Sequence, residues 1–446
     1  NMRIRFSDHF TCKKLLRLTF PSMIMLVFTS IYGVVDGFFV SNFVGKNAFT
    51  AVNFIMPFLM ILGAVGFMFG TGGGALIAKT LGEGDKEKAG RLFSLVVYAS
   101  AGLGVVLAAA GLLLLRPLLV LLGAEGQLLE NCVLYGRIIL LANPIYILQY
   151  EFQCLFPTAG KPALGLYVTV AAGLTNMVLD ALFVAVLPWG IQGAAAATAI
   201  SQCVGGLVPL VYFALPNRSL LRLGRARMEP RALGKVCANG SSELMSNISI
   251  PLVSMLYNLQ LLAMAGEDGV AAYGVLMYVS LIFQAVFLGY SVGTAPVISY
   301  HYGARNTAEV KGILRRSLGL ISVFALAMFA AALGLAQPLS RLFVGYDQAL
   351  YDFTVRAFGI FAFSFLFTGF AIFGSAFFTA LNNGLVSAVI SFLRTLLFQV
   401  AAVLILPLFW QVDGIWAATV AAECMAALVA GAFLWRCRDE ANLMAA

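Results

Sequence analysis

Residues 193–203, GAAAATAISQC, and residues 414–424, GIWAATVAAEC, share Gly, Ala, Ala, Thr and Cys at a constant spacing of 221 residues. The same spacing pairs Gly45 with Gly266, Ala51 with Ala272, Gly82 with Gly303, and Thr158-Ala159 with Thr379-Ala380. Gly66, Gly70 and Thr71 meet Gly289, Gly293 and Thr294 at a spacing of 223, which places a two-residue gap before Gly303. Small residues coincide easily by chance, so no single pair carries weight. A spacing that holds over most of each half marks an internal repeat.

Each repeat is a row of apolar stretches. Of the 446 residues, 61% are hydrophobic and 11% charged, and the mean hydropathy is +0.93. Soluble domains carry about 25% charged residues, so lipid rather than water must face most of this chain. A spanning helix needs about 20 apolar residues, and a spanning strand about 10 in strict alternation. Only the helical pattern occurs. The expected spans are 15–43, 48–78, 92–115, 128–155, 162–186 and 191–214, then 236–264, 268–299, 316–336, 350–378, 384–408 and 414–435. The fold class is therefore an all-α integral membrane protein of twelve spans in two six-helix lobes. The expected division is an N-lobe at 1–215, an Arg-rich inter-lobe linker at 216–235 and a C-lobe at 236–446. An even number of helices per repeat gives both halves the same orientation, and parallel repeats of this kind transport by rocking about a shared substrate site.

Lys and Arg set the topology. With the first residues inside, 22 of the 28 basic residues fall in inner segments: Arg3 to Arg17, Lys79 to Arg91, Lys161, Arg218 to Lys235, Arg305 to Arg316, Arg436 and Arg438. Lys46, Arg116 and Arg341 fall in outer turns. Both termini are then cytoplasmic, and the net charge of +8 is a topology signal, not a nucleic-acid footprint. Membrane lipids are the expected polar partner of the basic linker. The seven cysteines form no CxxC, and His9 and His301 are the only histidines. That leaves no cofactor or metal cluster and no enzyme chemistry to expect. A channel would need a selectivity ring, which two non-identical halves do not supply, and a monomer suffices because one chain already holds both.

Ionisable residues inside spans are functional candidates by default, because a charge in the bilayer costs a few kcal/mol or more. Asp36 and Asp180 each lie about eight residues from the outer ends of their spans, at matching depth by helical rise. Tyr32 and Asn176 stand one turn before them, on the same helical faces, and Thr198 sits at a similar depth. Two carboxylates, an amide and hydroxyls suit a hard cation such as Na⁺, or a proton shared between paired acids. The alternative is a polar cluster that only sets helix packing. Arg394 and Glu423, both near the midplane, are expected to form a structural ion pair, since neither is tolerable alone. Glu151, with Gln149 and Gln153, lies in the inner half of its span, and Glu243 lies toward an inner end. These four are candidates for a substrate cavity or for packing. Pro21, Pro57 and Pro144 interrupt spans and are candidate bending points.

These residues carry a family resemblance. Pro21 followed by Asp36 and the Gly45 turn, Gly70-Thr71 with Gly82-Glu83-Gly84-Asp85, Thr158-Ala159-Gly160-Lys161-Pro162 and Asn176-Met177-Val178-Leu179-Asp180, in this order, resemble the multidrug and toxic compound extrusion (MATE) transporters. The resemblance implies a V-shaped pair of six-helix lobes in a bacterial inner membrane. It further implies antiport of small organic cations or amphipathic compounds against H⁺ or Na⁺ by alternating access. By similarity, Asp36, Asn176, Asp180 and Thr198 form the coupling site and Pro21 the hinge. The rival reading is a flippase for lipid-linked oligosaccharides or peptidoglycan precursors, which would need cavity-facing Arg or Lys for its phosphates.

Overall fold

The computed structural model describes residues 5–439 together with 443 and 444; Arg3 lies outside the described residues. The described chain is helical, with no strand. Its helices are α1 Cys12–Val44, α2 Lys46–Gly82, α3 Lys86–Leu121, α4 Gly126–Leu141, α5 Asn143–Thr158, α6 Pro162–Val186 and α7 Ile191–Ala214. Then follow α8 Pro230–Ala265, α9 Glu267–Gly303, α10 Thr307–Val344, α11 Gln348–Ala380, α12 Gly384–Trp410 and α13 Val412–Arg436. Eleven of the thirteen are long and apolar enough to cross a membrane, and α4 with α5 makes a twelfth span if taken together.

That pair is the main departure from the sequence pattern. In place of one helix over 128–155, the chain turns by 61° between Leu141 and Asn143. Pro144, in the first turn of α5, cannot donate a backbone hydrogen bond to α4 and so allows the break. By contrast α1 and α2 run on through Pro21 and Pro57. The expected linker also ends early, because α8 starts at Pro230, where proline's fixed φ suits a helix's first turn. The stretch of coil before it is tethered: the Leu220 amide donates to Ala159 O at 3.1 Å and that of Leu223 to Phe213 O at 2.8 Å.

Two compact units emerge, 24–244 and 245–446 with 1–23. The breaks, after Met23 and after Leu244, lie 221 residues apart, the spacing of the repeat. Each unit therefore takes the leading part of the other repeat's first helix as its own. Glycines make the seats. Within 24–244, Gly72 of α2 faces Val236 O so closely that no Cβ would fit, and Gly240 faces Met68 O in the same way. Within the other unit a Cβ on Gly289 of α9 would lie 2.5 Å from Met23 Cα, and one on Gly293 3.0 Å from Thr19 Cα. Small residues let helix backbones approach in lipid, where packing rather than the hydrophobic effect holds helices together. The segment before α1 is tied to this second unit as well: His9 Nδ1 lies 2.7 Å from Glu309 Oε2, and the Phe10 amide donates to Glu309 Oε1 at 2.8 Å.

Candidate functional site

In the 24–244 unit, α1 and α6 are clamped together below the acids. Tyr32 of α1 donates its hydroxyl to Thr169 O of α6 at 2.9 Å. Its ring lies over Gly173, where a Cβ would come within 2.5 Å of Tyr32 Cε1. Asp36 stands one turn onward on α1 and Asp180 two turns beyond Gly173 on α6, and their carboxyl groups are neighbours that act on one another. Asn176 is one turn before Asp180 on the same face. Just beyond each acid the helix widens into a π turn, at Val40–Val44 after Asp36 and at Ala181–Val186 after Asp180. Such turns recur at functional sites.

The polar atoms gathered here are buried and under-satisfied. Asp36 is 8% and Asp180 1% exposed. Asp36 Oδ1, both Asp180 oxygens, Asn176 Oδ1, Thr198 Oγ1 and Gln202 Oε1 have no hydrogen-bond partner. Each buried orphan costs about 1–3 kcal/mol, and two adjacent carboxylates cannot both stay charged without a cation or a proton. The donor set, all oxygen and doubly acidic, fits either.

Two members escaped the sequence pattern. Tyr135 of α4 is buried with its hydroxyl beside Thr198 and in electrostatic contact with both carboxyl groups, yet the Thr198 hydroxyl forms no well-directed bond. A tyrosine in an apolar span gives no periodic signal. Gln202, one turn after Thr198, gave a weak one, as the repeat partner of Glu423 at the 221 spacing.

The other repeat is an internal control. There Asp36 is matched by Tyr257 and Thr198 by Thr419. Tyr257 donates to Gln399 Oε1 at 2.5 Å and Thr419 donates to the Tyr257 hydroxyl at 3.0 Å. That locus is closed by neutral hydrogen bonds, so the fold does not itself demand orphan acids at this position.

The remaining candidates take other neighbours. Arg394 Nε donates to Glu423 Oε2 at 3.2 Å, with side chains only 12% and 3% exposed, and Arg394 occupies the third π turn, Leu393–Leu397. Glu151 is buried on α5 against Ser100 of α3. Gln153 donates to Thr29 Oγ1 at 3.4 Å, and Gln149 packs against Gly205 of α7. Glu243, half-buried on α8, acts electrostatically on Cys154 of α5. Pro21 lies two residues before the break between units at Met23.

A family model described as MatE matches residues 21–182 and again residues 244–405. The chain belongs to the MATE family of transporters. Among MATE relatives, a multidrug export protein, MepA, of Staphylococcus aureus is 23% identical over 429 residues, covering 96% of this chain and 94% of its own length. A MATE crystallised in complex with MaL6 superposes with a TM-score of 0.92 at 24% identity, covering 98% of each chain. A MOP superfamily transporter from Pyrococcus furiosus gives 0.89 at 25% identity, covering 98% of this chain and 97% of that one. The all-helical architecture is thus that of solved MATE transporters.

Proposed function

We propose that this MATE chain is a multidrug exporter that expels small organic cations or amphipathic compounds in exchange for Na⁺ or H⁺ bound at Asp36 and Asp180. The observation that carries the reading is the cluster of buried acceptors without partners around two neighbouring carboxyls, set against hydrogen-bonded Tyr257 and Thr419 at the equivalent locus of the other repeat. The export role draws on the MepA relatives, which are multidrug export proteins. The charge pattern supports cytoplasmic termini in a bacterial inner membrane, and two units in one chain support a working monomer.

In this reading the ion enters while the acids are open to the outside. Its binding neutralises the pair and lets α1, clamped through Tyr32, shift near Pro21. Substrate is released outward, and the opposite reorientation delivers the ion inward. The ion drives the cycle only if it binds the two states with different affinity, since equal affinity shifts no population. A carrier of lipid pyrophosphates would need membrane-depth cations free for phosphate, and Arg394 is instead tied to Glu423.

The test is ethidium uptake into inside-out vesicles under an imposed pH or Na⁺ gradient. Wild type is expected to transport under one gradient, and Asp36→Asn and Asp180→Asn to lose at least a tenfold share of that rate, about 1.4 kcal/mol of coupling, with normal insertion. Wild-type rates in both variants would refute the site.

A further inference from the structure

We infer that Glu151 is a second proton-binding station in the 24–244 unit, with the proton on Oε2 and Ser100 as its partner. The number of hydrogens available points to it. Ser100 Oγ lies against two oxygens, the Val97 carbonyl at 2.8 Å and Glu151 Oε2. A serine hydroxyl has a single hydrogen to donate. A carbonyl cannot supply a second one, so a charged Glu151 would leave the two oxygens sharing one hydrogen, and each contact is a full two-centre hydrogen bond only when Glu151 carries a proton. Glu151 then donates from Oε2 to Ser100 Oγ, and Ser100 donates onward to Val97 O.

The surroundings agree. Glu151 is 0% exposed, no Lys, Arg or His forms an ion pair with it among the described residues, and Oε1 has no partner at all. An isolated carboxylate in such a place takes a proton instead of remaining charged. From α3 only Ser100 acts on it, and nothing ionisable does so from α2, α4, α6 or α7. On α5 itself the neighbouring titratable groups are Tyr146, Tyr150 and Cys154, and from α8 Glu243 acts on Cys154.

The station is distinct from the acid pair. Glu151 is seven residues before the inner end of α5, about 10 Å by helical rise, whereas Asp180 is eighteen residues beyond the start of α6, about 27 Å. Between these levels the Tyr146 hydroxyl donates to that of Tyr150 at 3.5 Å. One bundle therefore carries acids near both its outer and inner ends with hydroxyls between. On discharge the O–H bond of Glu151 breaks, the proton passes to inner water, and Ser100 turns its hydrogen to the carboxylate. The transport consequence rests on the coupling proposed above; the proton itself does not.

The test is infrared difference spectroscopy of the full chain in lipid across a pH series, with and without ethidium. A protonated-carboxyl stretch that changes with pH or substrate is expected, lost in Glu151→Gln, shifted in Ser100→Ala and retained in the Asp36→Asn/Asp180→Asn double variant. If Glu151→Gln leaves every such band in place, or removes one that responds to neither pH nor substrate, the station does not exist. Should Glu151→Gln fail to fold, an unshifted spectrum in Ser100→Ala overturns the proposal equally. Persistent gradient-driven transport in the double variant would refute the acid-pair coupling while leaving the Glu151 band to be judged alone.

Discussion

Arg394 and Glu423 show what a membrane-depth charge does when it has a protein partner. Both are nearly buried and meet at 3.2 Å, so each offsets part of the other's desolvation cost. Breaking such a pair by removing one partner costs about 3–5 kcal/mol, whereas replacing both by apolar residues is often neutral. Arg394→Leu is therefore expected to lower the thermal unfolding midpoint in detergent sharply, and Arg394→Leu/Glu423→Leu to recover most of the loss. A fully stable and active Arg394→Leu would show that the pair is not coupled. Asp36 and Asp180 differ in kind, because two carboxyl groups neighbour each other and neither has an ion pair to Lys, Arg or His among the described residues. That contrast, between a pair that cancels and a pair that cannot, was already visible as residue types at depth.

Among the elements, the glycines that seat α8 on α2 bear the tightest constraint. Any side chain at Gly72 meets the Val236 carbonyl, which cannot move without unwinding α8. Gly102 on α3, by contrast, has nothing within 4 Å of the place a Cβ would take. Overpacking costs about 1–3 kcal/mol where the neighbour cannot yield, so Gly72→Val is expected to destabilise and Gly102→Ala to be neutral or slightly stabilising. Hydrogen exchange should show lost protection over 230–244 in the first variant only; equal protection in both would mean the seat is slack. Sequence pattern revealed the helices but not their seats. Apolar length fixed 162–186 and 191–214 to the residue, because turns containing Gly or Pro bracket them. The pattern marked Pro144 as a candidate bending point but not that the chain there breaks by 61° into two helices, and it missed the π turns, which change no periodicity. Which unit owns the first part of α1 or α8 depends on a partner hundreds of residues away, and local pattern is blind to that. Within the site, the acids stood out because charge is rare in lipid-facing sequence, while Tyr135 and Ser100 did not, because buried Tyr and Ser are common in spans.

For the whole molecule, duplication supplied two equivalent loci and divergence made them unequal. The 24–244 unit keeps acids and orphan acceptors, whereas its counterpart fills the matching place with Tyr257, Gln399 and Thr419 in bonds of 2.5 and 3.0 Å. If the ion works through one unit, the other locus is a structural brace. Tyr257→Phe removes both neutral hydrogen bonds of its hydroxyl and Thr419→Ala one of them, each bond being worth about 0.5–1.5 kcal/mol, and the partners left behind meet a desolvation cost of similar size. Both variants are therefore expected to lower the unfolding midpoint by a few degrees. Neither should alter which gradient drives ethidium uptake, nor the concentration or pH at which the drive is half-maximal. Asp36→Asn should do the reverse, removing the ion's buried charge partner with little loss of stability or even a gain, since an uncompensated carboxylate leaves the bilayer. A shift of ion dependence in Tyr257→Phe would place part of the coupling in the second repeat, and the repeat could then no longer serve as its own control.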